Sequence, residues 1–375
     1  MARDPLCPVS IEFCSLDGLR EELAAAASGE RVVLVATRGT VERLGLGDAV
    51  AALGHAAKLV WLDGDYANPT QAHVASALHR IGGERPERIV CVGGGSAIDM
   101  GKAISALFDE AAEVSVPQIT EAVTTRSYAA RMQPIEIVAV PTTAGTGSEV
   151  TKWATIWDAD GGAKYSIDDE RLYPKRALVC MEATLTMPSR LILATALDAL
   201  SHAMESFWAR STTPLVQNLA LSAVREIHAH LGPALADPQD RTARDGLCLG
   251  SILAGVAFSN TRTTACHSIS YPMTMRFGVE HGFAASMTLA PVAALNLAAV
   301  PGIGELLAVF EPDGGLAAWV DAVAAGIQPL RLGAFGIGES DIEVLVELSF
   351  TAGRMDNNPV DISPDQVREI LRSIA

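Results

Sequence analysis

The stretch RIVCVGGGSAID (88–99) runs a short apolar, β-branched segment straight into three glycines and then into a helical pattern. A strand that ends at a helix start is the repeating unit of a parallel sheet, because parallel neighbours need a crossover and the crossover is usually helical. The unit recurs along residues 1–184. A helix at 16–27 and a turn at Ser28-Gly29 lead to an apolar strand at 31–37. A helix at 41–53 follows, then a strand at 58–62, and Asn68-Pro69-Thr70 caps a helix at 71–81. The strand at 88–92, the loop 93–96 and a helix at 97–107 come next, with a further strand at 135–140. Apolar runs without polar alternation belong to a sheet covered on both faces, whose ligands collect at the carboxyl ends of the strands. Residues 1–184 are therefore expected to form a Rossmann-like, dinucleotide-binding α/β domain.

Two loops at such strand ends carry the nucleotide expectation. Glycines 93–95 with Ser96 let backbone approach a ligand, and the helix N-terminus behind them favours a pyrophosphate. This is not the G-x-G-x-x-G fingerprint, and alone it reads equally well as a tight turn. The second loop, PTTAGTGSE (141–149), is dense in hydroxyls and glycines directly after an apolar strand. Two such loops in one sheet favour a dinucleotide site over two ordinary turns. The alternating strand expected at 150–157 puts Thr151, Trp153 and Thr155 on one face and Lys152 on the other.

From 185 to 375 the periodicity is helical almost throughout, and Gly and Pro punctuate a bundle. In the helix expected at 188–210, Leu193, Leu197, Leu200, Met204 and Phe207 form one apolar stripe. Asp198 and His202 lie one turn apart at its margin. A carboxylate and an imidazole there are costly to desolvate unless something binds them; in isolation they read as a satisfied polar pair at the edge of a core. His267, in TTACHSISYP, and His281, in VEHGFAA, interrupt apolar sequence elsewhere. One hard oxygen and three imidazole nitrogens suit a divalent first-row metal, and the ligand types admit Fe(II) and Zn(II) alike. The second domain is thus expected to be all-helical and to carry every metal ligand, with the reaction site in the cleft between the domains.

A chain of 375 residues exceeds what one core usually supports, in keeping with two domains. The formal charge of −16 argues against nucleic acid and anionic membrane surfaces as partners, so an anionic ligand would need locally placed cations. The six cysteines show no C-x-x-C pair and no framework spacing, as expected in a reducing compartment. MARDPLCPVS lacks an apolar signal core and no uninterrupted apolar span long enough to cross a bilayer follows, so a cytoplasmic location is expected.

GGGSAIDMGKAI (93–104), PTTAGTGSEVT (141–151), DALSHAME (198–205), AFSN (257–260) and the His267/His281 pair with HG at 281–282 resemble the iron-dependent (group III) alcohol dehydrogenase family, in order and over nearly the whole chain. The resemblance implies a two-domain fold, NAD(P)-linked interconversion of an alcohol with an aldehyde or ketone, and a homodimer or larger assembly. It implies Asp198, His202, His267 and His281 as metal ligands. It also implies Gly94, Gly95, Ser96, Asp99, Thr142, Thr143, Thr146 and Lys164 at the cofactor, with Asn68 near its adenine-side ribose. Asp99 has a plainer reading as stabiliser of its helix start. Within the family, HSISYPMT (267–274) and RMDNNPV (354–360) look most like the phosphonoacetaldehyde reductases, which reduce phosphonoacetaldehyde to 2-hydroxyethylphosphonate.

Three departures from the family pattern carry expectations of their own. Arg38 stands where many NAD-using members have Asp; a guanidinium would pair with a 2′-phosphate, so NADP(H) is expected over NAD(H), against the plainer reading of a solvated Arg at a strand end. Tyr271 stands where many members have a His proposed to relay the proton, and a relay and a packing role both stay open. Arg262 and Arg354 replace smaller residues near the substrate. Two guanidiniums are what a phosphonate dianion requires, so a small anionic aldehyde is expected, with Trp153 and Phe258 shaping the pocket. The expected reaction is reduction of an aldehyde to a primary alcohol, the metal polarising the carbonyl and the nicotinamide supplying hydride. The alternatives are a dehydrogenase of a neutral diol or simple alcohol, a dehydroquinate-synthase-like lyase, and a metal-stabilised interaction protein without turnover. Asp198 with three histidines speaks against the lyase, which usually has a Glu-containing set.

Overall fold

The computed structural model describes residues 6–25, 29–109, 114–158 and 163–375. The chain divides into two compact units. The first is Met1–Thr143 with Ser148–Thr186, and the second is Ala144–Gly147 with Met187–Ala375. The loop 144–147 therefore parts from the sequence around it. Its backbone explains why. A side chain at Gly145 would stand 2.6 Å from the Thr195 carbonyl oxygen, and one at Gly147 (φ +63°) would stand 2.7 Å from Gly255 Cα, so only glycines let this loop lie against the backbone at Thr195 and Gly255.

The first unit contains strands β1 (Ser10–Phe13), β2 (Arg31–Val35), β3 (Lys58–Leu62), β4 (Arg88–Gly93), β5 (Glu136–Pro141), β6 (Trp153–Asp158), β7 (Ala163–Asp168) and β8 (Arg176–Val179). Six make one parallel sheet in the order β1-β8-β5-β4-β2-β3, and β6 with β7 makes a separate antiparallel hairpin. Alternate residues of each strand face opposite ways, and both faces are apolar. Val33, Val35, Ile89, Cys91, Ile137 and Ala139 pack in one core with Val74, Ile98 and Ile119. Val32, Leu34, Val90, Val138 and Val140 pack in the other with Leu19, Leu46 and Leu53. This double burial is why the strands read as unbroken apolar runs.

The structure corrects several expected elements. The first helix is Leu16–Ala24; residues 26–28, which hold the end of the expected helix and part of its turn, lie outside the described residues. The helix expected at 41–53 is two, Arg38–Arg43 and Gly47–Ala56, because Gly45 turns the chain at φ +59°. β1, β7, β8 and the helices Val116–Thr125 and Tyr128–Arg131 were not anticipated.

The strand expected at 150–157 begins only at Trp153, because Ser148–Val150 forms a 3-10 turn. Lys102, wholly buried on helix Gly95–Leu107, holds that turn by donating to the carbonyls of Ser148 (2.6 Å) and Trp153 (2.9 Å). Burial pulls the Lys102 ammonium down to about 8 and pushes the neighbouring Glu149 carboxyl up to about 7. Asp99 joins this brace, accepting from Ser148 Oγ (2.6 Å) and from the Thr155 amide (2.9 Å). Both of its oxygens are thus engaged within its own unit.

The second unit is helical. Its principal helices are Ser189–Trp208, Pro214–Ala236, Arg241–Ser259, Ala265–Phe277 and His281–Met287, and it ends with Pro364–Ser373. Helix Ser189–Trp208 is buried well beyond the expected stripe. Ile192, Ala196, Ala199, Ala203 and Trp208 are covered as completely as Leu193, Leu197, Leu200, Met204 and Phe207. A helix covered on every side belongs to the middle of a bundle, and its polar residues are forced into the interior with it. Among the described residues, no helix is long and apolar enough to cross a membrane.

Candidate active site

Asp198 and His202 lie inside that central helix, His267 in the first turn of Ala265–Phe277, and His281 at the first residue of His281–Met287. Three imidazole nitrogens surround one carboxylate oxygen. From Asp198 Oδ1, the Nε2 atoms of His267, His202 and His281 lie at 3.6, 3.8 and 4.0 Å. These separations are too long for hydrogen bonds. They approach the separation of about 3.3–3.6 Å that atoms sharing one cation adopt in tetrahedral geometry when each ligand bond is roughly 2.0–2.2 Å. Asp198, His267 and His281 form the tightest set, with ligand atoms all within 4.8 Å of one another, while His202 approaches the same oxygen from beside that trio.

Asp198 Oδ1, His202 Nδ1 and His267 Nε2 are buried and have no hydrogen-bond partner. Asp198 Oδ1 and His267 Nε2 face each other at 3.6 Å, and two orphaned polar atoms meeting in a dense interior are costly unless a cation takes them. The donor set therefore fits a divalent metal. Burial alone would raise the Asp198 carboxyl, but the imidazoles of His202, His281 and His267 reverse this and hold it well below the usual carboxylate range. Burial pushes His202 down to about 4 against the pull of Asp198, leaving the neutral imidazole that ligation requires.

Aromatic contacts fix the rings. His202 is sandwiched between Phe258 (centroids 4.1 Å apart, planes at 12°) and His267 (4.7 Å, 17°). Phe258 thus orients a candidate ligand. His281 lies parallel to Tyr271 (5.8 Å, 11°), and the Tyr271 hydroxyl accepts from Arg354 Nε at 3.3 Å. Tyr271 thereby joins the candidate ligand His281 to a guanidinium. Arg262 arrives at the same place. Its backbone is left-handed (φ +65°), and its Nη1 sits 3.2 Å from where a side chain at Gly353 would begin, while Arg354 Nη1 donates to the Gly353 carbonyl at 3.0 Å. Asn357 ties the two segments together by donating to the carbonyls of Thr261 (2.8 Å) and Thr263 (3.1 Å).

One buried carboxylate beside this site was not singled out from the sequence. Glu205, three residues beyond His202, is wholly buried; its Oε2 meets His267 Nδ1, and its Oε1 accepts from the Thr264 amide and hydroxyl and from the Cys266 amide. Burial disfavours a charged His267, but Glu205 and then Asp198 override this and raise the metal-free imidazole to about 10, so that a cation would take the place of the proton on Nε2 while the Nδ1 proton stays with Glu205. The signal was present in D-x-x-x-H-x-x-E, whose three members share one helical face.

Most nucleotide candidates of the first unit, Lys164 excepted, follow the carboxyl ends of strands of the parallel sheet. β2 and β4 are neighbours from which the chain departs in different directions, and Arg38 follows one while Gly94, Gly95 and Ser96 follow the other. Crevices at such switch points are where parallel sheets take their ligands. The Thr142 amide donates to the Gly93 carbonyl (2.9 Å), and the Thr143 side chain lies over Gly94. Asn68, left-handed at φ +51°, follows β3. Lys164, on β7, stands over the Trp157 ring at 5.6 Å, and Trp153 begins the partner strand under Lys152. Thr146 belongs to the second unit. Arg38 is exposed and held by Asp63, which pairs with its guanidinium and accepts from its backbone amide at 2.9 Å; Arg38 also stacks on Trp61.

Comparison with known proteins decides what this arrangement belongs to. Residues 12–180 match the model of iron-containing alcohol dehydrogenases, and residues 192–375 match that of the C-terminal part of the Fe-containing alcohol dehydrogenase family. The chain belongs to the iron-containing alcohol dehydrogenase family. It is accordingly an oxidoreductase that uses iron and a nicotinamide cofactor. This alcohol dehydrogenase is 30% identical over 328 residues to the 1,3-propanediol dehydrogenase of Citrobacter freundii, covering 84% of this chain and 82% of that one. It is 33% identical over 234 residues to the phosphonoacetaldehyde reductase of Streptomyces viridochromogenes, covering 62% and 59%. Among solved structures, it matches the sulfoacetaldehyde reductase from Bifidobacterium kashiwanohense in complex with NAD+ with a TM-score of 0.84 and 27% identity, covering 100% of this chain and 99% of that one. The fold class read from the sequence, a parallel α/β unit followed by a helical one, is the class of these neighbours.

Proposed function

We propose that this alcohol dehydrogenase reduces a small anionic aldehyde, phosphonoacetaldehyde, to the primary alcohol 2-hydroxyethylphosphonate, with NADPH as the preferred donor. The observation that carries the substrate is the meeting of Arg262 and Arg354 at Gly353, linked through Tyr271 to His281. In a chain of formal charge −16, two cations beside the ligand shell supply what a dianion needs. Two relatives bear names of aldehyde reductases whose substrates carry an anionic group. The 1,3-propanediol dehydrogenase is the rival precedent, for a neutral substrate.

Asp198, His202, His267 and His281 would hold the iron, which supplies a Lewis acid to the carbonyl oxygen. The nicotinamide supplies the hydride to the carbonyl carbon, and solvent supplies the proton to the oxygen. Arg262 and Arg354 bind the phosphonate by paired N–H donors. Tyr271 packs on His281 and aligns Arg354, the packing role rather than the relay.

The test is anaerobic NADPH oxidation by the Fe(II)-loaded protein with phosphonoacetaldehyde beside uncharged aldehydes of similar size. Arg354→Gln and Arg262→Asn, the latter tolerant of a left-handed backbone, are each expected to lower kcat/KM for phosphonoacetaldehyde roughly 10–100-fold, the loss of a charge-assisted hydrogen bond. Turnover of uncharged aldehydes should change less than about threefold. Equal or better use of the uncharged aldehydes by the unmodified protein would overturn the phosphonate assignment.

The NADPH preference is supported by the charge of Arg38 at the end of β2. Asp63 competes for that charge, so Asp63→Asn is expected to raise the NADPH-to-NADH ratio of kcat/KM roughly fivefold, and Arg38→Ala to lower it by a similar factor. An unchanged ratio in both variants would remove Arg38 from cofactor selection.

A further inference from the structure

We propose that Glu205 is a positioning residue for the metal: it fixes the proton of His267 on Nδ1, so that Nε2 is left as a lone pair aimed at the cation. The proposal rests on the metal reading above and adds to it a residue outside the ligand set. Five donors meet the Glu205 carboxylate. Oε1 accepts from the Thr264 amide (2.9 Å), the Thr264 hydroxyl (2.7 Å), the Cys266 amide (2.9 Å) and the His267 amide (3.3 Å), and Oε2 faces His267 Nδ1. Glu205 is wholly buried, and so is Trp208, whose Nε1 donates to Thr264 Oγ1 at 2.9 Å. The carboxylate thus organises the start of helix Ala265–Phe277 around the ligand that this helix contributes.

A carboxylate can only accept, so the imidazole nitrogen facing it must carry the proton. His267 Nε2, on the other edge of the ring, is buried without a hydrogen-bond partner 3.6 Å from Asp198 Oδ1. Carboxylate behind imidazole before cation is a recurrent arrangement that sets both ring orientation and ligand basicity.

Glu205→Gln separates this role from packing. The side chain keeps its volume, and its carbonyl oxygen must still face the Thr264 and Cys266 donors. Its NH2 group then faces His267 Nδ1 and demands a lone pair there. The His267 proton moves to Nε2, the edge that must be bare to ligate. Zn(II) affinity of the metal-free protein, measured by competition with a chromophoric chelator, is expected to fall roughly 10–100-fold. The visible spectrum of the Co(II)-loaded variant should change, while far-UV circular dichroism and NADPH binding stay as in the unmodified protein. Thr264→Val supplies the contrast: it removes one donor to Glu205 and the acceptor of Trp208, so it should lower thermal stability while keeping Zn(II) affinity within about threefold.

If Glu205→Gln does not fold, the 15N spectrum of the Zn(II)-loaded unmodified protein decides instead. Protonated Nδ1 at His267 supports the proposal, and unprotonated Nδ1 overturns it. Wild-type Zn(II) affinity and an unaltered Co(II) spectrum in a folded Glu205→Gln variant overturn the positioning role while leaving the metal site standing. Failure of the unmodified protein to bind Zn(II) or Fe(II) at one equivalent overturns both.

Discussion

Asp198→Asn is expected to abolish equimolar iron binding and to lower kcat for aldehyde reduction by more than about a thousandfold, the order of loss that follows from removing a Lewis acid from a carbonyl reduction. The substitution keeps the volume of the side chain and removes its charge. Asp198 is the only anion in the four-residue ligand set; the other three are imidazoles gathered around its Oδ1 at 3.6–4.0 Å. With that charge gone, a divalent ion buried in the bundle would keep its full charge against neutral ligands, an expensive state in a low-dielectric interior. Iron content after gel filtration and anaerobic NADPH oxidation check the two halves of the expectation separately. Retention of one iron per chain together with normal turnover in the Asn variant would falsify the ligand role. A variant that loses iron but still binds NADPH places the defect in the second unit, where the whole ligand set resides.

What could be read from the chain beforehand follows from how local each signal is. Helix Gln71–Ile81 was legible to the residue because Thr70 and His73 form a reciprocal cap at its start and Gly82, at φ +72°, ends it. Strands β2, β4 and β5 were legible because both faces are buried, which makes them continuous apolar runs. β1 and β8 are four residues each and are defined by pairing with each other across most of the first unit, a relation that no window of sequence contains. Asp198 and His202 announced themselves through helical spacing. Their meeting with His267 and His281 was inferred from donor chemistry and then supported by family resemblance, since the packing of three helices is written in no local pattern. Glu205 stood in plain view, yet its five donors come from residues 264–267, so its purpose was invisible without the fold. Asp63 was missed for the same reason: it meets Arg38 from the end of the neighbouring strand, and that pairing tempers a charge argument built on Arg38 alone.

Gly282→Ala is expected to cost the protein both its metal and part of its stability, through a contact that involves no ligand atom. A Cβ at position 282 would lie 1.9 Å from the carbonyl oxygen of Ala194, 2.9 Å from its carbonyl carbon and 3.1 Å from Asp198 Cβ. Two of these three neighbours are backbone of the central helix, which is buried on every side and cannot yield, so helix His281–Met287 must retreat instead. His281 is the adjacent residue and moves with it, away from an Asp198 oxygen that already stands 4.0 Å from its Nε2. Ligand geometry tolerates only a few tenths of an ångström, so metal affinity should fall by roughly 100-fold or more. Overpacking of this kind costs about 1–3 kcal/mol of stability. Gly304→Ala is the control, since a side chain there meets nothing within 4 Å at an ordinary helical backbone, and it should leave iron content unchanged with stability level or slightly raised. Thermal unfolding of the metal-free proteins isolates the packing cost, and iron content isolates the displacement of His281. A Gly282→Ala variant with unchanged melting temperature and a full complement of iron would mean that the two helices can separate freely, and the close approach that sets His281 against Asp198 would lose its explanatory role.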